Sequence, residues 1–241
     1  MVKASLAIKV PETLSMEQAA TIGIGITTVG QGLYQSLGLP LPTEPAVNTF
    51  SVLIYGGGTA AGSLAIQFAK LSGLEVITTC SSYNIDLMKN LGADAAFDYN
   101  SPTVGADIRA ATNNSLAYVF DCQADTGSVT IAAQAIGSQG GKYSSLLHVP
   151  RFPRNDVTNT MTLAYTAIGE DFDLFGKKWT ANPDHLRFSA MFWKLAEGLL
   201  AKEKIKTHPV DARDGGLEGV LRGLDEMRQG KVRGRKLVYR L

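Results

Sequence analysis

The chain alternates short, nearly continuous apolar runs with longer stretches in which apolar residues recur every three or four positions, a β/α rhythm. Ser51-Val52-Leu53-Ile54-Tyr55 is the clearest short run, and its lack of polar alternation predicts a strand buried on both faces. A Gly-rich turn follows from Gly56 to Gly62. A helix is predicted over Ser63–Leu71, with Leu64, Phe68 and Leu71 on one side and Ser72-Gly73 as its stop. The same reading places strands at Leu74–Thr79, Ala95–Tyr99, Leu116–Asp121 and Gly141–Leu147, and helices at Asn84–Leu91, Asp107–Ala111 and Thr126–Ile136. Five strands alternating with four helices between Ser51 and Leu147 predict an α/β fold, a doubly wound parallel sheet of Rossmann type.

The flanks do not continue this alternation. Leu6 to Val10 reads as a short strand closed by Pro11, and Ser15-Met16-Glu17-Gln18 has the form of a capping box. Gly23 to Leu37 reads as a helix, with Val29, Leu33 and Leu37 at spacing four and Gly38-Leu39-Pro40 ending it. Val149 to Trp179 is irregular. Asn182-Pro183 opens a helix to Leu200 with Phe188, Phe192, Leu195 and Leu199 on one face. Leu217, Val220, Leu221, Leu224 and Met227 mark a second amphipathic helix ended by Gly230, and Lys236 to Arg240 reads as a last strand.

The length of 241 residues corresponds to about one and a half domains. Lys plus Arg exceed Asp plus Glu by one, 23 against 22, so there is no long-range field to attract nucleic acid or an anionic membrane. Two cysteines, Cys80 and Cys122, exclude a disulfide scaffold. None of the three histidines (His148, His185 and His208) is near either cysteine in sequence, so no zinc-ligand spacing exists and no metal is expected. Without a long apolar span or a secretory h-region, the expected compartment is the cytosol.

The turn Gly56-Gly57-Gly58-Thr59-Ala60-Ala61-Gly62 carries the candidate chemistry. Gly56-x-Gly58-x-x-Ala61 fits the dinucleotide fingerprint, with Ala in the last place. Small residues are needed there for a tight turn, for backbone approach to a pyrophosphate and for close helix packing. The helix that follows points free N–H groups at the phosphates. By itself the pattern is also compatible with a purely structural turn; its place at the head of several βα units favours dinucleotide binding. No Lys-Ser or Lys-Thr follows, so it is not a Walker A loop. The next strand ends without the acidic residue that an NAD site uses, since Glu75 lies at its other end. Ser81, Ser82, Tyr83 and Asn84 can instead donate hydrogen bonds to a 2′-phosphate, which favours NADP, although no Lys or Arg accompanies them. Cys122 reads as a small buried residue and His148 as a surface-loop residue. Cys80 lacks a cationic neighbour that would activate it. No catalytic residue is assigned.

These residues carry a resemblance. Val52 to Gly62 followed by Ala65-Ile66-Gln67-Phe68-Ala69-Lys70 is similar to the medium-chain dehydrogenase/reductase superfamily, and more closely to fungal trans-acting enoyl reductases of polyketide synthases. Lys9-Val10-Pro11, Thr79-Cys80-Ser81, Leu91-Gly92-Ala93-Asp94, Phe97-Asp98-Tyr99, Asp121-Cys122 and Gly230 to Leu241 agree. The resemblance implies residues 1–22 as part of a GroES-like catalytic lobe, 23–165 as the NADP-binding Rossmann domain and 166–241 as a return to the catalytic lobe. It also implies hydride transfer from NADPH to the β-carbon of an α,β-unsaturated thioester or ketone, without a metal. Gly56, Gly58, Thr59, Ala60 and Ala61 would then hold the pyrophosphate, Ser81 to Asn84 the adenosine phosphate, and Tyr99 the adenosine. Leu146, Leu147, Val232 and Arg233 would lie on the nicotinamide side, and Thr166, Ala167, Ile168, Gly169 and Glu170 would line an acyl pocket. The implied partners are a small or carrier-bound acyl substrate and a polyketide synthase. In the family, Lys9-Val10-Pro11 stands near the end of the first catalytic segment, so most of that lobe is expected to be missing before Met1. Two consequences are expected. The chain self-associates through exposed edges of Leu6–Val10 and Lys236–Arg240, and the alternative function is an NADPH-binding module, or synthase-interacting fragment, without turnover.

Overall fold

The computed structural model describes residues 3–174 and 176–240. Its centre is a six-stranded parallel sheet built from β1 (Ser51–Tyr55), β2 (Glu75–Cys80), β3 (Ala95–Asp98), β4 (Tyr118–Asp121), β5 (Gly141–Ser145) and β6 (Val157–Met161). The spatial order is β3-β2-β1-β4-β5-β6, so β1 is central and pairs with β2 on one side and β4 on the other. Every residue of β1 is buried, as its unbroken apolar run requires. Val52 and Ile54 face one core; Leu53 faces the other.

Helices cover both faces. After the short α1 (Met16–Ala19), the first core is closed by α2 (Gly23–Val29), α3 (Ala60–Leu71) and α4 (Ile85–Asn90), together with a long helix late in the chain. The second is closed by α5 (Val104–Ala111) and α6 (Thr126–Ala135). The late helix, α7 (Pro183–Ala201), begins where Asn182 caps it and inserts Phe192 among Phe68, Tyr34 and Phe188, with ring centroids 5.0, 5.3 and 5.8 Å away. Burial of one such ring contributes about 2–3 kcal/mol. Ser15 and Gln18 form the reciprocal capping box at α1.

Four features depart from the sequence pattern. Leu6–Val10 is not a strand: a 3-10 turn spans Ala4–Leu6, and the next residues run along α7, where the Lys9 N–H donates to Glu197 Oε1 at 3.1 Å. An alternating apolar pattern is not enough without a sheet edge to join. The helix over Gly23–Leu37 changes winding, with a π-helical segment over Gly30–Ser36 after α2; an apolar spacing of four does not distinguish the two windings. Val149–Trp179 is not all irregular, because it contributes β6, a 3-10 turn at Ala164–Ile168 and a hairpin of β7 (Phe172–Leu174) and β8 (Lys177–Trp179). Last, the C-terminal strand β10 (Lys236–Tyr239), expected to present an unpaired edge, pairs in parallel with an unforeseen β9 (Val210–Arg213). Between them lies α8 (Gly216–Arg228), whose Leu217, Leu221, Leu224 and Met227 are exposed.

Two side-chain clamps tie this C-terminal part to the first βα unit. Gln67 on α3 donates to the Lys206 carbonyl at 3.0 Å and accepts from the Lys206 N–H at 2.7 Å. His208, 4% exposed, hydrogen-bonds Ser63 on the same helix through Nδ1 at 2.9 Å. Burial, aided by the positive charge of Lys236, pushes the His208 pKa down to about 4. In the unfolded chain this imidazole titrates near 6.5, so the folded state resists a proton that the unfolded state accepts. The contribution of His208 to stability is therefore intact above about pH 6.5 and lost progressively towards pH 4, amounting to about 1–3 kcal/mol. Urea unfolding of the parent and of His208→Asn across that range checks this, because the variant should lose the corresponding part of the acid sensitivity; identical pH profiles would refute it.

Candidate functional site

All six strands end on one edge of the sheet. From β1 the chain crosses to α3 on one face, and from the adjacent β4 it crosses to α6 on the other. This is a topological switch point, where two neighbouring loops diverge and leave a crevice.

The first wall is the turn after β1. Gly56 has φ +81°, in the left-handed region, and its N–H donates to Thr79 Oγ1 at 3.0 Å, while the Gly57 N–H donates to the Thr79 carbonyl at 2.8 Å. Thr59 caps α3: its hydroxyl donates to the Gly56 carbonyl at 2.8 Å and accepts from the Gly62 N–H at 2.9 Å. A Cβ at Gly62 would overlap the Gly56 carbonyl oxygen and lie 2.8 Å from the Gly57 Cα. A Cβ at Gly58 would meet only Asn84 Nδ2, at 3.4 Å, so this face of the turn is open. Among the described residues, the Ala60 and Ala61 N–H groups have no acceptor in the chain. Free amides at a capped helix N-terminus, beside a glycine with an open face, fit a pyrophosphate.

The second wall is the loop after β4. Asp121 is fully buried, and its carboxylate accepts from Tyr143 Oη at 2.7 Å and from the N–H groups of Gln123 and Ala124 at 2.8 and 2.9 Å. These bonds hold Ala124 at φ +56° and press the loop onto the turn: a Cβ at Gly56 would lie 3.3 Å from Gln123 Cγ and 3.6 Å from Cys122 Cβ. Burial and the Asp121 charge push the Cys122 thiol pKa up. Cys80, buried at the end of β2, is held at about 11 by burial and by the charge of Asp98. Both thiols stay protonated at neutral pH and are poor nucleophiles.

The remaining sequence candidates fall in three places. Ser81, Ser82, Tyr83 and Asn84 form the loop after β2; Ser81 Oγ lies 3.2 Å from Tyr99 Oη, and Asn84 lies beside Gly58. A Cβ on Gly234 would lie 3.4 Å from Asn84 Nδ2, so the segment with Val232 and Arg233, expected on the nicotinamide side, runs close to the loop expected to hold the adenosine phosphate. Leu146 and Leu147 follow β5, where the Leu146 N–H donates to the Asp121 carbonyl at 3.2 Å and Leu147 is exposed. Thr166, Ala167, Ile168, Gly169 and Glu170 run through the 3-10 turn after β6. Thr166 Oγ1 accepts from Gln31 Nε2 at 3.0 Å and pairs with His185 Nδ1 at 2.7 Å; Glu170 pairs with Lys3 at 2.9 Å. Gln31 and His185 are site neighbours that no local sequence signal marks. His148 is exposed. A cleft of about 890 Å3 between Thr13–Gln18 and Leu200–Ala212, lined by Glu17, His208 and Arg240, contains none of the predicted residues. Among the described residues, no group of three or more His, Cys, Asp or Glu is arranged to hold a metal ion, and no helix is long and apolar enough to cross a membrane.

Sheet order, glycine turn and switch-point crevice define a Rossmann-type protein with the features of a dinucleotide site. Comparison with known proteins narrows this. The family model "Zinc-binding dehydrogenase" matches residues 60–145. A trans-enoyl reductase of Alternaria alternata is 49% identical over 239 residues, covering 99% of this chain and 69% of the relative. A dual trans-enoyl reductase/FAD-dependent monooxygenase of Aspergillus terreus is 52% identical over 228 residues, covering 94% of this chain and 32% of that protein. Among solved structures, the CurK enoyl reductase superposes with a TM-score of 0.77 at 15% identity, covering 99% of this chain and 67% of that one. An NAD-dependent alcohol dehydrogenase superposes at 0.75 with 20% identity, over 100% of this chain and 63% of that one. The chain belongs to the medium-chain dehydrogenase/reductase superfamily, in the group of fungal trans-enoyl reductases. Membership and fold support a nicotinamide cofactor.

The two glycines at the turn should respond differently to alanine. Gly62→Ala forces backbone atoms apart and is expected to cost about 1–3 kcal/mol, lowering Tm by roughly 2–4 °C per kcal/mol. Gly58→Ala, whose new methyl enters open space, should leave Tm nearly unchanged. Thermal scans of both variants decide; equal effects would contradict the packing described.

Proposed function

We propose that the chain is an NADPH-dependent enoyl reductase-type oxidoreductase, acting on an α,β-unsaturated thioester or ketone and serving a polyketide synthase in trans. The observation that carries this reading is the open face of Gly58 beside the unclaimed Ala60 and Ala61 amides, at the switch point of a chain 49% identical to a trans-enoyl reductase. Bound NADPH would supply the hydride for the substrate β-carbon, with protonation at the α-carbon.

Around the crevice we assign the chain's own residues these roles. Ala60 and Ala61 donate to the pyrophosphate over Gly56 and Gly58, with Thr59 fixing the helix end. Ser81, Ser82, Tyr83 and Asn84 donate to the 2′-phosphate, and Tyr99 covers the adenosine. NADP is favoured over NAD because β2 ends without a carboxylate that would repel that phosphate. Leu146 and Leu147 offer an apolar edge that excludes water on the nicotinamide side. Thr166 to Glu170, steadied by Gln31 and His185, line the acyl pocket. We assign 23–165 to the nucleotide lobe and 1–22 with 166–241 to the catalytic side, α7 of the later segment packing its Phe192 into the core of the sheet. A second reading is an NADPH-binding module, or synthase-interacting fragment, without turnover; the chain spans 69% of the length of the Alternaria relative.

Titration with NADPH and NADH by fluorescence or calorimetry, followed by NADPH absorbance with a crotonyl thioester, separates these readings. Tight NADPH binding with turnover is the expected result; binding without turnover selects the second reading, and no binding rejects both. Gly58→Glu places a carboxylate in the pyrophosphate space and should abolish binding. Unchanged affinity would show that the turn is not the site.

A further inference from the structure

The NADPH reading leaves one charge unmatched. A phosphate monoester carries about −1.5 to −2 at neutral pH, yet the loop after β2 has only neutral donors, Ser81, Ser82, Tyr83 and Asn84. Neutral hydrogen bonds are weaker than charge-assisted ones, and Arg is the side chain whose fork matches phosphate oxygens.

The fold brings cations to this loop by a long route. Gly230 ends the α8 region with φ +67°, and Gly234 turns the chain again with φ +61° before β10. Lys231, Arg233 and Arg235 lie in this connection. The Lys231 N–H donates to the Glu226 carbonyl at 3.0 Å, and the Lys236 N–H donates to the Pro209 carbonyl at 2.9 Å, so the loop is pinned at both ends. At its tip, a Cβ on Gly234 would lie 3.4 Å from Asn84 Nδ2 and 3.5 Å from Oδ1, the same side chain that borders Gly58. Asn84 thus has the phosphate turn on one flank and the C-terminal loop on the other.

Arg233 immediately precedes this contact. It is exposed, and its Nε donates to the Gly230 carbonyl at 3.0 Å, which orders the guanidinium and leaves both Nη atoms available. Arg213, Arg228 and Arg240 are all engaged with carboxylates, whereas among the described residues neither Arg233 nor Lys231 has an acidic partner. The loop therefore brings the backbone next to Arg233, a guanidinium without a carboxylate partner among the described residues, to the flank of neutral donors that lack a cation.

We propose that Arg233, assisted by Lys231, is the residue that distinguishes NADPH from NADH, by pairing with the adenosine 2′-phosphate held at Ser81–Asn84. This assignment rests on the NADPH reading above. It makes dinucleotide selectivity a property of two segments far apart in the sequence.

Dissociation constants of NADPH and NADH, measured for the full chain and for Arg233→Gln, test it. The parent should prefer NADPH, and the variant should bind NADPH about tenfold or more weakly while its NADH affinity changes less than about twofold. Arg233→Lys should recover part of the preference, and Lys231→Gln should lower it modestly. Added salt should narrow the preference of the parent more than that of Arg233→Gln. A selective parent whose Arg233→Gln variant keeps its full preference overturns the assignment and leaves the NADPH reading standing. Equal losses for both dinucleotides place the guanidinium on the pyrophosphate and also overturn it. A parent without preference removes the NADPH reading and this inference together. Arg233 is exposed, and a Tm of the variant close to that of the parent confirms that the fold is intact.

Discussion

Between the turn after β1 and the first turn of α3 there is no room for a side chain. Gly62 meets the Gly56 carbonyl, and any Cβ placed there would overlap it. That close approach sets how α3 leaves the sheet, and much else depends on it. It lets the Thr59 hydroxyl reach both the Gly56 carbonyl and the Gly62 amide, which in turn leaves the Ala60 and Ala61 amides directed outward. It seats Leu64 and Phe68 in the core with Val52, Ile54 and Phe192. It also positions Ser63 and Gln67 for their bonds to His208 and Lys206, so the C-terminal part of the chain is located from the same helix.

The opposing loop is set by a different kind of force. A buried carboxylate is tolerated where enough donors converge on it, and Asp121 has a tyrosine hydroxyl and two backbone amides. The bonds hold Ala124 in the left-handed region, a conformation that costs a non-glycine residue about 1 kcal/mol or more. One wall of the crevice is therefore shaped by exclusion of side chains and the other by satisfaction of a charge.

The parts of this arrangement that could be read in the sequence are those with a local cause. A strand buried on both faces must be apolar throughout, so β1 is unmistakable, and a turn this tight must be made of small residues. Asn182-Pro183 and Ser15–Gln18 announce helix starts because capping is local chemistry. Val157–Met161 escaped because Thr158, Asn159 and Thr160 read as loop; as the last strand in the sheet order, it pairs with β5 alone. Val210–Arg213 escaped for a similar reason, being short, charged and dependent on β10 as partner. Leu6–Val10 shows the converse, a strand-like pattern that finds no edge. At the site, the glycine turn was legible, whereas the Thr166–Gln31–His185 junction and the approach of Gly234 to Asn84 arise only when distant segments meet.

The β9–β10 pair has a consequence for synthesis. A chain emerging from the ribosome N-terminus first, at roughly 5–20 residues per second, exposes all six strands of the parallel sheet while α8 and β10 are still unmade. The glycine turn and the Asp121 loop can then assemble against each other, but the loop that meets Asn84 cannot be placed until β10 has joined β9. A nascent chain would thus form the crevice between the glycine turn and the Asp121 loop first and gain the border at Asn84 only seconds later.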